Sequence, residues 1–421
     1  MTDVAEAIPV GTGSRVSRRV VFYIPGYDPF PPRRYRELYR REAAAQSAVS
    51  GHRISVARTA SDAGPAWRVT SSIAEVDVMA DMRVLVWSDL VRASMGQGIG
   101  ATYSQLVRTA WIYVSTGAIF RVARLRKGPT IAALYPIAML LLQLALAVGA
   151  GWIAGRAVAG LGSLAGMGAT GGTVSAVLVW AVASGAVLAF FRRIDGRVYA
   201  YYLMHDYAHS ASVRGAFPPD LSARMDDFRA RIAAALTEDT DEVLVVGHSS
   251  GAHIAITVLA DLIRAGQAGG VPALSLLTLG HVVPMVAFLP AATRLRGDLA
   301  YLSARSELTW VDVTAPGDGC AFALCDPVAV AGVAPPDKRW PLVLSAAFTQ
   351  TLMPETWARL RWRFFRLHFQ YLCAFDRPGD YDYFAITAGP LTLAERYAGR
   401  APSPSRIETP MSGYRTTGGA G

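Results

Sequence analysis

Between Pro129 and Phe191 the chain carries a single charged side chain, Arg156. No other property of the sequence restricts the fold as much, because so long an uncharged block is too much apolar surface for one core hairpin of a soluble domain. It divides into two candidate spans. Ile131 to Ala154 is 24 residues without a charge, and Thr173 to Phe191 is another 19. At about 1.5 Å of rise per residue, each reaches close to the roughly 30 Å of hydrocarbon in a bilayer. Pro136 and Gln143 are tolerable in a membrane helix whose neighbour packs against it. The stretch 155–172 is rich in Gly and Ala and reads as the connection. Gly151/Gly155 and Gly162/Gly166 have the small-xxx-small spacing that lets helices approach closely.

Charge sets the orientation. The 421 residues carry 41 Lys+Arg and 32 Asp+Glu, a net +9. Residues 1–128 hold 18 basic and 10 acidic groups, and residues 192–421 hold 22 of each. The excess therefore lies before the apolar block and is not spread as a nucleic-acid footprint. Arg121, Arg124, Arg126 and Lys127 precede the first span, and Arg192 and Arg193 follow the second. The positive-inside rule then places both flanks in the cytoplasm, with a short loop outside. A two-span hairpin in the cell (inner) membrane results, with both termini cytoplasmic. Three cysteines (Cys320, Cys325, Cys373) are too few and scattered for a disulfide framework or a zinc site, which fits that compartment. Upstream, Val107, Trp111, Val114, Ala118, Val122 and Leu125 recur at helical spacing. Such a helix either lies on the cytoplasmic lipid surface or packs into the soluble core.

The remainder alternates β-branched runs with helical stretches. Strands are expected at Arg19–Pro25, Arg53–Thr59, Trp67–Ser71, Met82–Trp87, Glu242–Val246, Leu274–Leu279 and Glu307–Val313. Helices are expected at Arg34–Ser50, Leu221–Thr237 and His253–Ala265. This order indicates an α/β fold with a mostly parallel sheet covered on both faces. Organisation follows as a mobile tail (1–18), a first segment of the soluble domain (19–128), the hairpin (129–192), a second segment (193–400) and a second mobile tail (401–421).

The strongest motif is Gly247-His248-Ser249-Ser250-Gly251, directly after the apolar strand Glu242–Val246 and directly before a helix. A G-x-S-x-G in that context is a nucleophile elbow. Its glycines permit a turn too sharp for side chains, and Ser249 is presented at the carboxyl end of the sheet. A hydroxyl is a poor nucleophile near neutral pH, so a base and an orienting acid must accompany it.

With that elbow the chain resembles the α/β-hydrolase family, in its lipase/esterase-like branch. The resemblance covers roughly 19–90 and 192–390, with the transmembrane hairpin as an insertion. It implies a Ser-His-Asp triad and an acyl-enzyme, with no cofactor and no metal. In Trp310-Val-Asp-Val-Thr-Ala-Pro-Gly-Asp318 a strand ends in a Pro-Gly loop, the family's place for the acid, so the resemblance implies Asp318; Asp326 in its Cys-Asp-Pro turn is the alternate. The family order Ser, Asp, His singles out His368, the one histidine after Asp318, with His281 as runner-up. The oxyanion donors implied are the backbone N–H of Ser250 and that of Tyr27. Tyr27 stands in Val21-Phe-Tyr-Ile-Pro-Gly-Tyr-Asp28, where Pro25 replaces the family's His. His368 falls in a stretch that reads as helical, 355–374, instead of the usual loop.

The function implied is a membrane-anchored serine hydrolase acting on carboxylic esters, with lipid-like esters favoured by proximity to the bilayer. The partners implied are the lipid bilayer and an ester or lipid-like small molecule, and no nucleic acid. Two other readings stand beside it. One is a non-catalytic membrane scaffold or regulator on a hydrolase frame. The other is a metal-dependent hydrolase using His205 and His209, an i, i+4 pair in His205-Asp-Tyr-Ala-His209. Arginines interleave with aromatics over 357–366, which fits an amphipathic packing helix better than a nucleic-acid stripe.

Overall fold

The computed structural model describes residues 16–59, 64–96 and 98–418. Eight strands form one sheet: β1 (Arg18–Ile24), β2 (Arg53–Arg58), β3 (Ala66–Ile73), β4 (Val76–Val84), β5 (Glu242–His248), β6 (Ala273–Leu279), β7 (Leu308–Thr314) and β8 (Leu342–Ser345). Their order is β2-β3-β4-β1-β5-β6-β7-β8. β2/β3 and β3/β4 are antiparallel, and every pairing from β4/β1 to β7/β8 is parallel. The sheet is thus mixed and mostly parallel. Buried residues lie on both of its faces, and β5 is buried along its whole length, as expected when helices cover both sides. β4 runs earlier than the expected 82–87, because its alternating Asp77, Asp81 and Arg83 dilute the apolar signal. β8 is a short strand that the sequence pattern does not announce.

Order reverses once. From β1 the chain crosses to the edge strand β2 and returns inward through β3 to β4 beside β1, and from β5 it builds outward through β6 and β7 to the other edge. The crevice beyond the carboxyl ends of β1 and β5 is therefore the topological switch point, where open α/β sheets bind ligands. β1 comes before the apolar block and β5 after it, in parallel register from Arg19↔Glu242 to Ile24↔Gly247. The two soluble segments fold as one.

The block forms a helical hairpin, Lys127–Leu164 and Ala169–Arg193. Both helices are long and apolar enough to cross a membrane. The expected long connection is absent. Residues 155–164 continue the first helix, and the turn is only 165–168, with Gly166 in the left-handed region at φ 74°. Gly151 and Gly155 do allow close approach, since a Cβ on Gly155 would lie 2.8 Å from the Ala176 carbonyl oxygen. Gly162 instead faces Met167 in its own turn. Ser184 Oγ donates to the Ala147 carbonyl at 3.1 Å across the helices. The lower half of the first helix is embedded in the soluble domain: Ala133 joins its core, and Leu140 packs with Leu106, Tyr201 and Met204. The second helix has no buried residue. An apolar surface of that size calls for a covering of its own.

The segment upstream divides at Gly117 (φ 70°) into helices Ile99–Ser115 and Ala118–Leu125. Val107, Trp111 and Val114 face outward, with Trp111 70% exposed, whereas Ala118, Val122 and Leu125 are core. The second half of the pattern thus packs into the core, as one of the two readings expected, and the first half faces outward. The C-terminal segment, expected to be mobile, lies against the domain. Cys325 bridges Ile407 in a β-bridge, Ile407 N–H donates to Leu324 C=O, and Arg296 Nε donates to Thr416 C=O. Ile407 and Met411 supply apolar contact that Pro- and Ser-rich composition obscures. Of the N-terminal tail, residues 1–15 lie outside the described residues.

Candidate active site

Ser249 follows the last residue of β5 with φ 57°, the left-handed region that costs any side chain about 1 kcal/mol or more. The turn is held from both sides. Ser249 N–H donates to Leu279 C=O at the end of β6, 2.9 Å away, and Ala252 N–H returns to Ser249 C=O at 3.1 Å. Glycine is required where the backbones meet. A Cβ on Gly251 would stand 2.1 Å from the Ile24 carbonyl oxygen, and one on Gly26 would stand 2.8 Å from Ser249 Cβ. The elbow therefore nests against the end of β1, next to Tyr27. Among the described residues, the backbone N–H groups of Tyr27 and Ser250 donate to no protein acceptor. That is the state of donors available to an oxyanion.

Asp318, in the loop after β7, and His368 are brought together. His368 Nδ1–H donates to Asp318 Oδ2 at 2.7 Å, with both side chains buried. That bond leaves the Nε2 lone pair free to accept a proton. Nε2 is buried and has no hydrogen-bond partner among the described residues, so no bond joins it to Ser249 here. His368 ends a short helix, Phe364–His368, because the expected continuous helix breaks after Leu360. The break frees it from the middle of a helix.

Two supports escaped sequence reasoning. Tyr371 O–H donates to Asp318 Oδ2 at 3.1 Å while accepting from Ala315 N–H at 2.9 Å, and Cys320 N–H donates to Asp318 Oδ1 at 2.9 Å. Burial pushes the Asp318 carboxyl up, but His368 and these donors outweigh it and hold it below the usual carboxylate range. The second support is His248, inside the elbow. Its Nε2–H donates to the His368 carbonyl at 3.0 Å, and Tyr23 O–H faces its Nδ1 at 3.4 Å. Burial, then the nearby His368, lowers His248 to about 3, so it stays neutral and keeps that single tautomer. It supports His368 from below. The spacing Gly-His-Ser shows the residue, but its partner is 120 positions away.

The alternates are engaged elsewhere. Asp326 caps helix Pro327–Val330 through Val328 and Ala329 N–H and pairs with Lys338 at 2.6 Å. His281 Nε2–H donates to Cys325 C=O at 2.9 Å and lies 3.6 Å from Asp312. His205 faces Gln105 at 2.9 Å, and His209 lies against Tyr27 and Trp87; they share no third ligand among the described residues. The one trio of potential metal ligands among the described residues is Asp318, Cys320 and His368. There burial pushes the Cys320 thiol well up.

The hairpin stands directly on this site. At its start, Gly128 meets the Gly319 backbone, where a Cβ would be 3.0 Å from the carbonyl oxygen, and Arg126 Nε donates to Ala323 C=O at 2.8 Å. Just past its end, Tyr202 O–H donates to the Tyr27 carbonyl, and the Tyr199 ring lies tilted 4.6 Å from Phe365 in the His368 helix. Comparison with protein-family models, curated proteins and solved structures finds no match in any of the three.

Proposed function

We propose that the chain is a membrane-anchored serine hydrolase of carboxylic esters, built on an α/β-hydrolase-type frame. The observation that carries this reading is the conjunction at the switch point of a serine at φ 57° with a buried His368–Asp318 pair. In the proposed reaction Ser249 Oγ attacks the acyl carbonyl while His368 Nε2 takes its proton. The Tyr27 and Ser250 N–H groups hold the oxyanion. Collapse expels the alkoxide, which takes the proton from His368 and leaves as the alcohol. Water then gives a proton to His368, attacks the acyl-enzyme and releases the acid, and Ser249 recovers its proton. Asp318 orients the imidazole and stabilises its charged form. The hairpin spans the bilayer with the site on the cytoplasmic side, where lipid-like esters are abundant.

A second reading is a non-catalytic membrane regulator on the same frame. The absent Ser249–His368 bond favours it, although catalytic hydrogen bonds are often unmade without substrate. A fluorophosphonate probe separates the two. Wild type should label and Ser249→Ala should not; labelling that survives the substitution, or is missing from wild type, removes the hydrolase reading.

A further inference from the structure

Beside the oxyanion donors lies a cavity that the triad does not use. Trp87, Asp206, His209, Phe217, Ser250 and His253 are among its lining residues. Asp206 sits on helix Ala200–Ala211, which follows the hairpin, and it has neither a hydrogen bond nor an ion pair among the described residues. Two more groups there are unsatisfied. His209 Nε2 and His253 Nδ1 are buried without a partner. Burial lowers both rings, His253 to about 3, so neither supplies a cation for the carboxylate. Aromatic faces complete the wall: His253 stacks on Phe217 at 6.0 Å, and His209 lies 6.0 Å from Trp87. The cavity is narrow, with room for about one water-sized group.

A carboxyl without a partner among the described residues, ionised above about pH 7, two neutral imidazoles able to accept, and aromatic rings together match a donor-rich cation. The narrow space suits a small cationic group such as a primary ammonium. Resting on the hydrolase reading, we propose that this cavity binds a primary ammonium group on the substrate, with Asp206 as its specificity-determining partner. The substrate class is thereby narrowed to amphiphilic esters whose polar end carries an amine, which enters next to Ser250.

The test uses the full-length protein in nonionic detergent and two non-hydrolysable ligands, n-octyl 2-aminoethyl ether and n-octyl 2-hydroxyethyl ether. Calorimetry should give the aminoethyl ether a Kd at least about 10-fold lower, as a charge-assisted contact requires. Asp206→Asn should equalise the two ethers, and Ser249→Ala should keep the preference. Equal binding of both ethers to wild type overturns the proposal, as does a preference that survives Asp206→Asn. The wild-type comparison decides even if the variant fails to fold. Ammonium preference in a protein that resists fluorophosphonate would keep the pocket and discard the hydrolase.

Discussion

Replacing Gly26 by alanine probes the seam on which the elbow depends. The added Cβ would lie 2.8 Å from Ser249 Cβ and 3.3 Å from both Ser249 Oγ and the His248 carbonyl oxygen. Carbon atoms sit comfortably at about 3.5–4.0 Å, so one partner must move by roughly 1 Å. Neither yields cheaply. β1 is tied to β5 through the register Tyr23↔Val246 and Ile24↔Gly247, and Ser249 is tied to Leu279. Overpacking of this kind costs about 1–3 kcal/mol. A misplacement of about 1 Å at a reacting atom costs on the order of 100-fold in rate. The expected result for Gly26→Ala is a lower melting temperature together with fluorophosphonate labelling slowed by about that factor. Gly98→Ala is the control, since a Cβ there meets nothing within 4 Å. If Gly26→Ala labels within about threefold of wild type, the seam does not position Ser249 and the steric account is refuted.

Tyr371→Phe removes a donor to Asp318 and the acceptor of Ala315 N–H; it should destabilise by about 2–3 kcal/mol and lower kcat on a model ester with KM nearly unchanged. Burial raises Asp206 to about 7, so between about pH 4 and 7 the unfolded chain ionises there while the native one keeps its proton, and stability falls as pH rises through that window. Asp206→Asn should therefore melt like wild type near pH 4 and above it at pH 8. A topology reporter fused after Arg193 should read cytoplasmic; a periplasmic signal would reverse the orientation drawn from the flanking arginines.

Some of this was legible in the residues and some was not, for physical reasons. The elbow shows because its requirement is local: two glycines, a serine, and a strand and helix in register. The hairpin shows because a missing charge over some sixty residues has few soluble explanations. The pairing of Asp318 with His368 followed from chain order, although the broken helix that places His368 did not, since nothing in Arg361-Trp-Arg363 signals a stop. Tyr371 and His248 were invisible as supports because their partners lie 53 and 120 residues away. Asp206 was in view within His-Asp-Tyr-Ala-His, but as a member of a metal-like spacing. Only the surrounding cavity singles out the acid from its histidine neighbours.

The meeting of Gly128 with Gly319, and of Tyr202 with Tyr27, bears on how this protein can be handled. With an apolar hairpin of this length, the usual course is to excise it and join the chain across its base. Here the first foot of the hairpin and the helix that follows its second also prop the loops that carry Asp318 and Tyr27. Splicing 126 to 203 would remove a wedge from beneath Gly319 and a hydrogen bond from above Tyr27 in the same cut. A water-soluble version of this domain needs those props rebuilt, not merely its greasy arm removed.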